Sequence, residues 1–482
     1  NLETNKDLED RFFSLVDKIQ NNTNKIYNSD KIDEIEYDIS KILENAGLQY
    51  FKITAFEKIQ NYKADIIFEI SPTEPIYVNQ INITGNERTF DYVFRRELRI
   101  SEGDPINSTK IKNITRQLNN LSFIGSAKVE TTQIDESTQN LDIVVEETQT
   151  GSFNVGLSIG TLDGTSFVSG LKENNINGTG RTLEFLVNTN KDNKKFVLST
   201  TDKFLVNNNV NHGYSLIYKE NDFSKSQSYK LNTFTLDTSF NYKFSDYTYH
   251  TLGLGYSLKE YEVTDATSAS TTIKNSEGES ISFNITNDFT RNTLNSYIKP
   301  SRGNFISFAN YLETPSSSTN GFIKNTITGK KYYSVNKNVI SAQAQIGNIF
   351  SLNDSEISAD NKFSLGGRWL RGFDAYGAGP RNSRTSYVGG NNILALKLDF
   401  SRPISLNEQN PIYFNLFNDY GTVWGNKNTV TSSDQDLRVS YGFGINYYSP
   451  IGPIGFSWGF PLVHKDYDIK RMFLFSIGNL NW

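Results

Sequence analysis

The feature that most constrains this chain is a strand-type alternation that fills its carboxyl-terminal two-thirds, from Gly151 to Trp482. Apolar side chains recur at every second residue, as in Leu183, Phe185 and Val187, and polar or small residues stand between them. Because successive side chains of a strand point to opposite faces, this pattern predicts strands with one apolar and one wet face. Clusters of Gly, Asn, Asp and Ser separate the runs, and we expect no helix after Gly151.

Two architectures contain many such strands, a soluble β-sandwich and a membrane β-barrel. The unbroken length of the run and its polar loops of very unequal length, such as 264–279 and 374–392, favour the barrel. No apolar stretch approaches the roughly 20 residues that a spanning helix needs. We therefore predict a transmembrane antiparallel β-barrel. At roughly 20 residues per strand and connection it would have about 16 strands, although 14 or 18 also fit.

The amino-terminal part has a different organisation, in which helix-type and strand-type periods alternate. Residues 28–47 predict one amphipathic helix, and two short strands are expected at 50–58 and 62–70. A second unit has the order β-α-α-β-β. Its elements are a strand at 77–84, a helix at 89–98, a helix capped by Ser108 or Thr109, and strands at 127–134 and 141–147. The predicted domains are 1–22, a connector or remnant of an upstream module, 23–73, a partial module, 76–148, a complete module, and 151–482, the barrel.

Charge and composition exclude several functional classes. Residues 1–150 carry 17 Lys and Arg against 26 Asp and Glu, and such an acidic domain argues against binding nucleic acid. The chain has no cysteine and only three scattered histidines, so we expect neither a metal site nor a cofactor. No acid, base and nucleophile cluster in a catalytic pattern, and we predict that the protein is not an enzyme. The chain begins at Asn1 without an initiator Met or a leader, and we interpret Asn1 as a cut end.

Several motifs fall in the order found in one family of membrane proteins. The second unit carries "ITGNERTFDYVFRRELRISEGD". The barrel region carries "NINGTGR" at 175–181, "PSRG" at 300–303, "GGRWLRGF" at 366–373, "FNDYGTVW" at 417–424 and "SPIGPIGFSWGFPL" at 449–462. Together they resemble the BamA family of outer-membrane protein assembly factors. The resemblance implies periplasmic POTRA modules followed by a barrel of 16 strands. A full family member has five such modules, whereas this chain has one complete module and one that lacks its first strand.

The resemblance also implies a functional loop motif, Arg371-Gly372-Phe373, on a long extracellular loop that folds back into the lumen. It pairs the arginine with acidic residues of the barrel wall, and Asp399 and Asp419 occupy the matching positions. Asp399 lies on the polar phase of its strand and is expected to face inward, whereas the phase of Asp419 is ambiguous. A buried guanidinium requires acceptors, which two carboxylates supply. The alternative is an arginine on a mobile, exposed loop.

The two ends of the barrel form a predicted seam. Gly156 and Gly160 lie on the inner face of strand one, residues 151–162, where they weaken side-chain support for pairing. Equally, these glycines could only relieve crowding in the lumen. A cross-link from Val155 to Phe475 is expected to lock the seam. In the last strand, 473–482, the terminal Trp482 falls out of phase, which predicts a kink or bulge near Gly478. The outward seam residues are Phe153, Val155, Leu157, Ile159, Phe473, Phe475 and Ile477, with Gly478 and Trp482 at the end.

The resemblance implies assembly of β-barrel proteins in the outer membrane of a Gram-negative bacterium, with the POTRA modules in the periplasm. Client strands would be templated at the seam by β-augmentation. The expected partners are unfolded outer-membrane clients, periplasmic chaperones, accessory lipoproteins and the lipid bilayer. Two alternatives stay open, a POTRA-barrel secretion pore and a translocation-and-assembly module protein.

Overall fold

The computed structural model of this chain divides into two compact units. One unit comprises Asn1–Thr150 together with Asn174–Gly180, and the other comprises Gly151–Glu173 and Arg181–Trp482. The structure describes residues 29–45, 50–60, 63–72, 74–204, 210–316, 321–353, 356–382, 386–405, 410–425, 435–450 and 452–478.

The first described part of the amino-terminal unit is a helix with a β-hairpin. Helix α1 spans Ser29–Asn45, and strands β1, Phe51–Gln60, and β2, Lys63–Pro72, pair antiparallel. Ile39 and Leu43, four residues apart on one helix face, pack against apolar side chains of the hairpin. The helical spacing in the sequence therefore buries one stripe of α1, as an amphipathic helix does.

A complete α/β module follows. Its elements are β3, Ile76–Thr84, α2, Asp91–Leu98, β4, Pro105–Ile106, α3, Ser108–Asn119, β5, Ile124–Gln133, and β6, Thr138–Glu147. The sheet has the order β4-β3-β6-β5, with β3 and β6 parallel. Both helices cover this sheet, and Phe94, Leu118 and Leu141 in the shared core are fully buried.

Two expectations for this module were wrong. The cap of α3 is Asn107, whose side chain accepts a hydrogen bond from the Lys110 amide, rather than Ser108 or Thr109. The strand β4, which lies between the helices, makes the order β-α-β-α-β-β. It is only two residues long and leaves no periodic signal.

The carboxyl-terminal unit is a closed barrel, and sixteen strands of the described residues form it. All neighbouring strands pair antiparallel, which confirms the predicted architecture. The strands are β7, Gly151–Gly160, β8, Gly164–Glu173, β9, Thr182–Thr189, β10, Asn193–Asp202, β11, Val210–Asp222, β12, Tyr229–Ser245, β13, Thr248–Val263, β14, Gly278–Asn292, β15, Gly303–Glu313, β16, Phe322–Val335, β17, Asn338–Ser351, β19, Asn392–Pro403, β20, Ile412–Trp424, β21, Arg438–Ser449, β22, Gly452–Val463, and β24, Phe473–Ile477.

The alternation in the sequence becomes the two faces of the barrel wall. Leu157 on β7, Phe283 on β14 and Ile346 on β17 are 67%, 55% and 53% exposed, as expected for side chains that face lipid. The end of the barrel at which β7 begins is called the inner end, and the opposite end is called the outer end. The outer connections differ greatly in length, and one of them, 352–391, is much longer than a hairpin turn.

The expectation that no helix follows Gly151 was wrong. An outer loop between β13 and β14 contains a short helix, α4, Thr271–Asn275, which the side chain of Ser270 caps. Only five residues long, it is too short to give a helical period in the sequence. No helix among the described residues has both the length and the apolar character required to cross a membrane.

Candidate functional site: an arginine-anchored loop and a short seam

The outer connection 352–391 folds back into the barrel lumen. Leu365, Leu370 and Phe373 of this loop are at most 1% exposed, and they pack with Ile393 and Val423 of the barrel wall. Burial of these side chains places an apolar plug in a lumen whose wall is otherwise largely polar. The plug holds the segment in a fixed position.

Glycine allows the tip of this loop to turn sharply. Gly366 has φ 132°, and a Cβ there would come within 2.1 Å of the Asp374 carbonyl oxygen. Gly367 also has a positive φ, 51°. A side chain at Gly366 would therefore force the two arms of the tip apart, which explains why the "GGRWLRGF" motif begins with two glycines.

Arg371 lies between the two carboxylates that the sequence analysis named. Its backbone N and Nε donate to Asp419 Oδ2 at 2.9 and 2.8 Å, and one terminal nitrogen donates to Asp419 Oδ1 at 2.6 Å. The other terminal nitrogen donates to Asp399 Oδ1 at 2.7 Å. Arg371 is 4% exposed and Asp419 is fully buried. The structure thus brings these three residues together and places Asp419 on the inward phase of β20.

Two further contacts hold the loop near Arg371, and the first of them is made by its guanidinium. Its central carbon lies 3.7 Å from the centroid of the Phe417 ring, within the range of a cation–π interaction. The ammonium of Lys397 donates to the carbonyl of Arg368 at 2.9 Å, three residues before Arg371. The loop is therefore held by charge, by ring stacking and by its own backbone.

The same loop is joined to the residues that precede the last barrel strand. The short strands β18, Gly372–Phe373, and β23, Lys470–Arg471, pair antiparallel. Beside them, Arg471 donates to both carboxylate oxygens of Asp374 at 2.8 and 3.0 Å. Sequence reasoning missed this contact, because two residues nearly a hundred positions apart carry no local pattern.

Another ion pair connects the loop to the other side of the seam. Arg368 contacts Asp163, which lies in the turn directly after β7. Both side chains are close to half exposed, so the interaction is weaker than the Arg371 pairing. Loop 352–391 therefore contacts the chain beside both strands that close the barrel.

The junction between β24 and β7 has the shortest pairing among the described strands of the barrel. Only Ser476 with Gly160 and Ile477 with Ile159 are in register, whereas β7 and β8 pair over ten residues. A threonine extends the junction, because the Thr161 amide donates to the Phe475 carbonyl and the Phe475 amide donates to the Thr161 hydroxyl. This register corrects the expected cross-link, since Val155 is not opposite Phe475.

The side chains of the seam mostly point outward from the barrel wall. Phe153, Val155, Leu157 and Ile159 are 68%, 56%, 67% and 49% exposed, and Phe473 is 42% exposed. Phe475 and Ile477 share its phase and are half-buried. Within the described residues, pairing of the last strand ends at Ile477, whereas the strand was expected to extend to residue 482.

Gly478 follows the last strand with φ 84°, and a Cβ there would come within 2.8 Å of the Leu157 carbonyl oxygen. Its amide donates to the Pro453 carbonyl. The predicted kink therefore coincides with Gly478, whereas Trp482 lies outside the described residues.

The segment Asn174–Gly180, which contains most of the "NINGTGR" motif, packs within the amino-terminal unit. Asn175 donates from its side chain to the Thr89 hydroxyl at 2.7 Å, and the Phe90 amide donates to the Gly178 carbonyl at 3.0 Å. A Cβ on Gly178 would lie 2.0 Å from the Arg88 carbonyl oxygen, so this approach requires glycine. The motif thus packs against residues 88–90 of the same unit, a contact that its sequence did not indicate.

Only one of the last two strands of the complete module lies at an edge of its sheet. Within the described residues β5 is an edge strand, whereas β6 lies between β3 and β5. In the part of the chain that the structure describes, no group of three His, Asp or Glu side chains is placed to hold a metal ion.

Comparisons with known proteins place both units. The Omp85 superfamily domain matches residues 175–480, and a POTRA model, described as a surface antigen variable number repeat, matches residues 76–148. Two similar curated proteins are the outer membrane protein assembly factors BamA of Neorickettsia risticii, 26% identical over 91% of this chain, and of Neisseria meningitidis serogroup B, 23% identical over 94%. The chain spans 60% and 63% of the length of these two relatives.

Solved structures show the same fold. BamA of Haemophilus ducreyi lacking POTRA domains 1–3 superposes with a TM-score of 0.80 at 23% identity, over 94% of both chains. CdiB of Acinetobacter baumannii superposes with a TM-score of 0.54 at 13% identity, over 99% of this chain and 87% of its own. Because the Omp85 superfamily domain matches well over half of its residues, this chain belongs to the Omp85 superfamily.

Proposed function

We propose that this protein folds and inserts β-barrel precursors into the outer membrane of a Gram-negative bacterium, with its α/β modules in the periplasm. The names of its curated relatives support this role. In this mechanism a client strand is templated at the seam between β24 and β7. The work is done by backbone hydrogen bonds and by burial of apolar side chains in lipid, so no nucleotide, cofactor or catalytic residue is required.

The observation that carries the proposal is the short pairing of the seam. The residues of β7 from Gly151 to Ser158 have no described strand partner on the seam side. In an antiparallel ladder every second residue directs both its N–H and its C=O to the same side, so roughly eight backbone groups face this edge. Each group left unpaired in hydrocarbon costs several kcal/mol, and an incoming strand can pair with them.

The proposed partners are those that the resemblance to assembly factors implies. Unfolded outer-membrane proteins supply the strand that pairs with β7, and periplasmic chaperones deliver them to the modules. The edge strand β5 offers a further row of backbone groups on the module. Accessory lipoproteins and the surrounding bilayer complete the expected environment.

A disulfide across the seam tests the proposal. Ile159 and Ile477 are directly opposite in the register, and the chain has no other cysteine, so Ile159→Cys with Ile477→Cys forms a unique pair. Reconstituted in vesicles, the oxidised variant should lose assembly of a heat-modifiable client barrel, and reductant should restore it.

The matched control places the same disulfide within the barrel wall. Leu157→Cys with Phe167→Cys joins opposite residues of β7 and β8, where no opening is required. This control should assemble clients whether oxidised or reduced. If the oxidised seam variant keeps full activity, clients do not enter between β24 and β7 and the templating mechanism is wrong.

The secretion-pore alternative requires a passage through the lumen. The buried loop residues Leu365, Leu370 and Arg371 occupy that space, which favours assembly over export. A large, steady conductance of the purified protein would instead support export. A translocation-and-assembly module role differs in the range of clients, and a census of outer-membrane barrels after depletion distinguishes it from general assembly.

A further inference from the structure

The turn between β14 and β15, residues 293–302, reaches across the inner mouth of the lumen. Lys299 Nζ lies 5.4 Å from the ring centroid of Tyr413 and 5.6 Å from that of Tyr448. These tyrosines lie at the inner ends of β20 and β21. Going round the wall from β15, β20 is the fourth strand, roughly 19 Å away at the usual spacing between strands. A lysine side chain cannot span that distance along the wall, so the turn itself crosses the opening.

This turn has a defined internal structure. The side-chain oxygen of Asn295 accepts hydrogen bonds from the amides of Ser301 and Arg302, each at 3.0 Å. The Lys299 amide donates to the Ser296 hydroxyl at 3.1 Å. Gly303 ends the turn with φ 107°, and a Cβ there would lie 2.2 Å from the Thr293 carbonyl oxygen. The "PSRG" motif therefore ends a turn of defined conformation, in which Lys299 directly precedes the motif.

A cavity of about 160 Å³ separates this turn from the arginine-anchored loop. Residues 298–301 line it on one side, and Arg371 with Asp399 line it on the other. The wall between them is mixed, with Gln343, Asn415 and Asn446 beside Phe417 and Phe456 among its lining residues. Two elements from different parts of the chain thus line one cavity.

We propose that turn 293–302 is an inner seal of the lumen, in series with the outer seal formed by loop 352–391. The inner seal excludes hydrated ions and small polar solutes. Two aromatic rings hold Lys299 at the mouth, with an edge-to-face contact between them at 5.9 Å. This proposal does not depend on the assembly function, because a closed lumen would serve any protein of this architecture in a membrane.

Conductance of the purified protein in a planar bilayer tests the series arrangement. Resistances in series add, so opening one seal leaves the other to limit the current. Lys299→Ala and Arg371→Lys should each raise conductance less than about twofold, and the double variant should raise it about fivefold or more. Arg371→Lys keeps the positive charge, which protects folding while it removes the two-pronged pairing, and heat-modifiable migration verifies that each barrel is folded.

Lys337→Ala is the matched control. Lys337 is an exposed lysine of the turn between β16 and β17, at the same end of the barrel. It should leave conductance unchanged. The proposal is overturned if the double variant conducts no more than Arg371→Lys, if Lys299→Ala alone opens the pore fully, or if Lys337→Ala has the same effect as Lys299→Ala.

Discussion

Replacing Arg371 with alanine is the most direct test of how the lumen loop is anchored. The substitution removes the three side-chain hydrogen bonds to Asp419 and Asp399 but leaves the backbone bond from residue 371 to Asp419 in place. Asp419 is fully buried and the side chain of Asp399 is 14% exposed, so water cannot replace the guanidinium effectively. The main effect is therefore two carboxylates that lose the guanidinium and keep only the Lys397 ammonium as a neighbouring cation.

The expected magnitude follows from that burial. Removing one partner of a buried ion pair destabilises a protein by about 3–5 kcal/mol, because the remaining charge stays desolvated. Loss of the ring contact with Phe417 adds up to about 2 kcal/mol for a desolvated pair. Arg368→Ala is the matched control, since its pairing with Asp163 is about half exposed and should contribute no more than about 1 kcal/mol.

Urea unfolding in lipid vesicles, followed by heat-modifiable migration, measures these differences. A rescue variant sharpens the test. Arg371→Leu with Asp419→Asn removes one charge of each sign and leaves Asp399 beside the buried ammonium of Lys397, so it should be more stable than Arg371→Ala. If Arg371→Ala is no less stable than Arg368→Ala, or if this double variant gives no recovery, buried charge pairing does not anchor the loop.

Three further predictions concern the cap, the sheet and the loop. Asn107→Ala should destabilise the complete module by about 1 kcal/mol through loss of the α3 cap, whereas Lys112→Ala on the exposed helix face should be nearly neutral in thermal unfolding. Burial opposes the charge of Glu147, but hydrogen bonds from Thr89 and Arg88 outweigh it and lower the pKa of its carboxyl group. Its stabilising contribution should therefore be complete above the ordinary Glu pKa and be lost as pH falls through the lower folded value, and an unfolding-versus-pH curve unchanged in Glu147→Gln would contradict this. Arg471→Ala should raise hydrogen exchange in 473–477 without changing global stability by more than about 1 kcal/mol, and unchanged exchange there would show that its pairing with Asp374 does not restrain the last strand.

Regular elements were the most predictable part of the fold, because the spacing of their apolar residues is visible in the sequence. The amphipathic helix of residues 29–45, the complete module and the antiparallel barrel of about 16 strands follow from local spacing and from the order of the motifs. The failures were short elements. Strand Pro105–Ile106 and helix Thr271–Asn275 are shorter than one period of the pattern that would reveal them.

The candidate site was predictable only in part. The strand phase placed Asp399 in the lumen, and the motif pointed to Arg371, but the phase of Asp419 stayed ambiguous until the structure placed it at zero exposure. Nothing in the sequence linked Lys299 to Tyr413 or indicated that Asn175 docks on Thr89. The two residues of such a pair lie on different structural elements, so no periodic pattern in the sequence relates them.

By itself, the sequence determined that each strand has a wet and an apolar face, and the unbroken length of this pattern with its unequal loops favoured a membrane barrel over a soluble sandwich. The two faces depend only on neighbouring residues, because successive side chains of a strand point to opposite sides. Only the tertiary structure decided the register of the seam, where Ile159 rather than Val155 lies beside the last strand, and which loops cross the lumen. Register and docking depend on the closure of all sixteen strands and on contacts between residues far apart in the chain, and no local pattern contains that information.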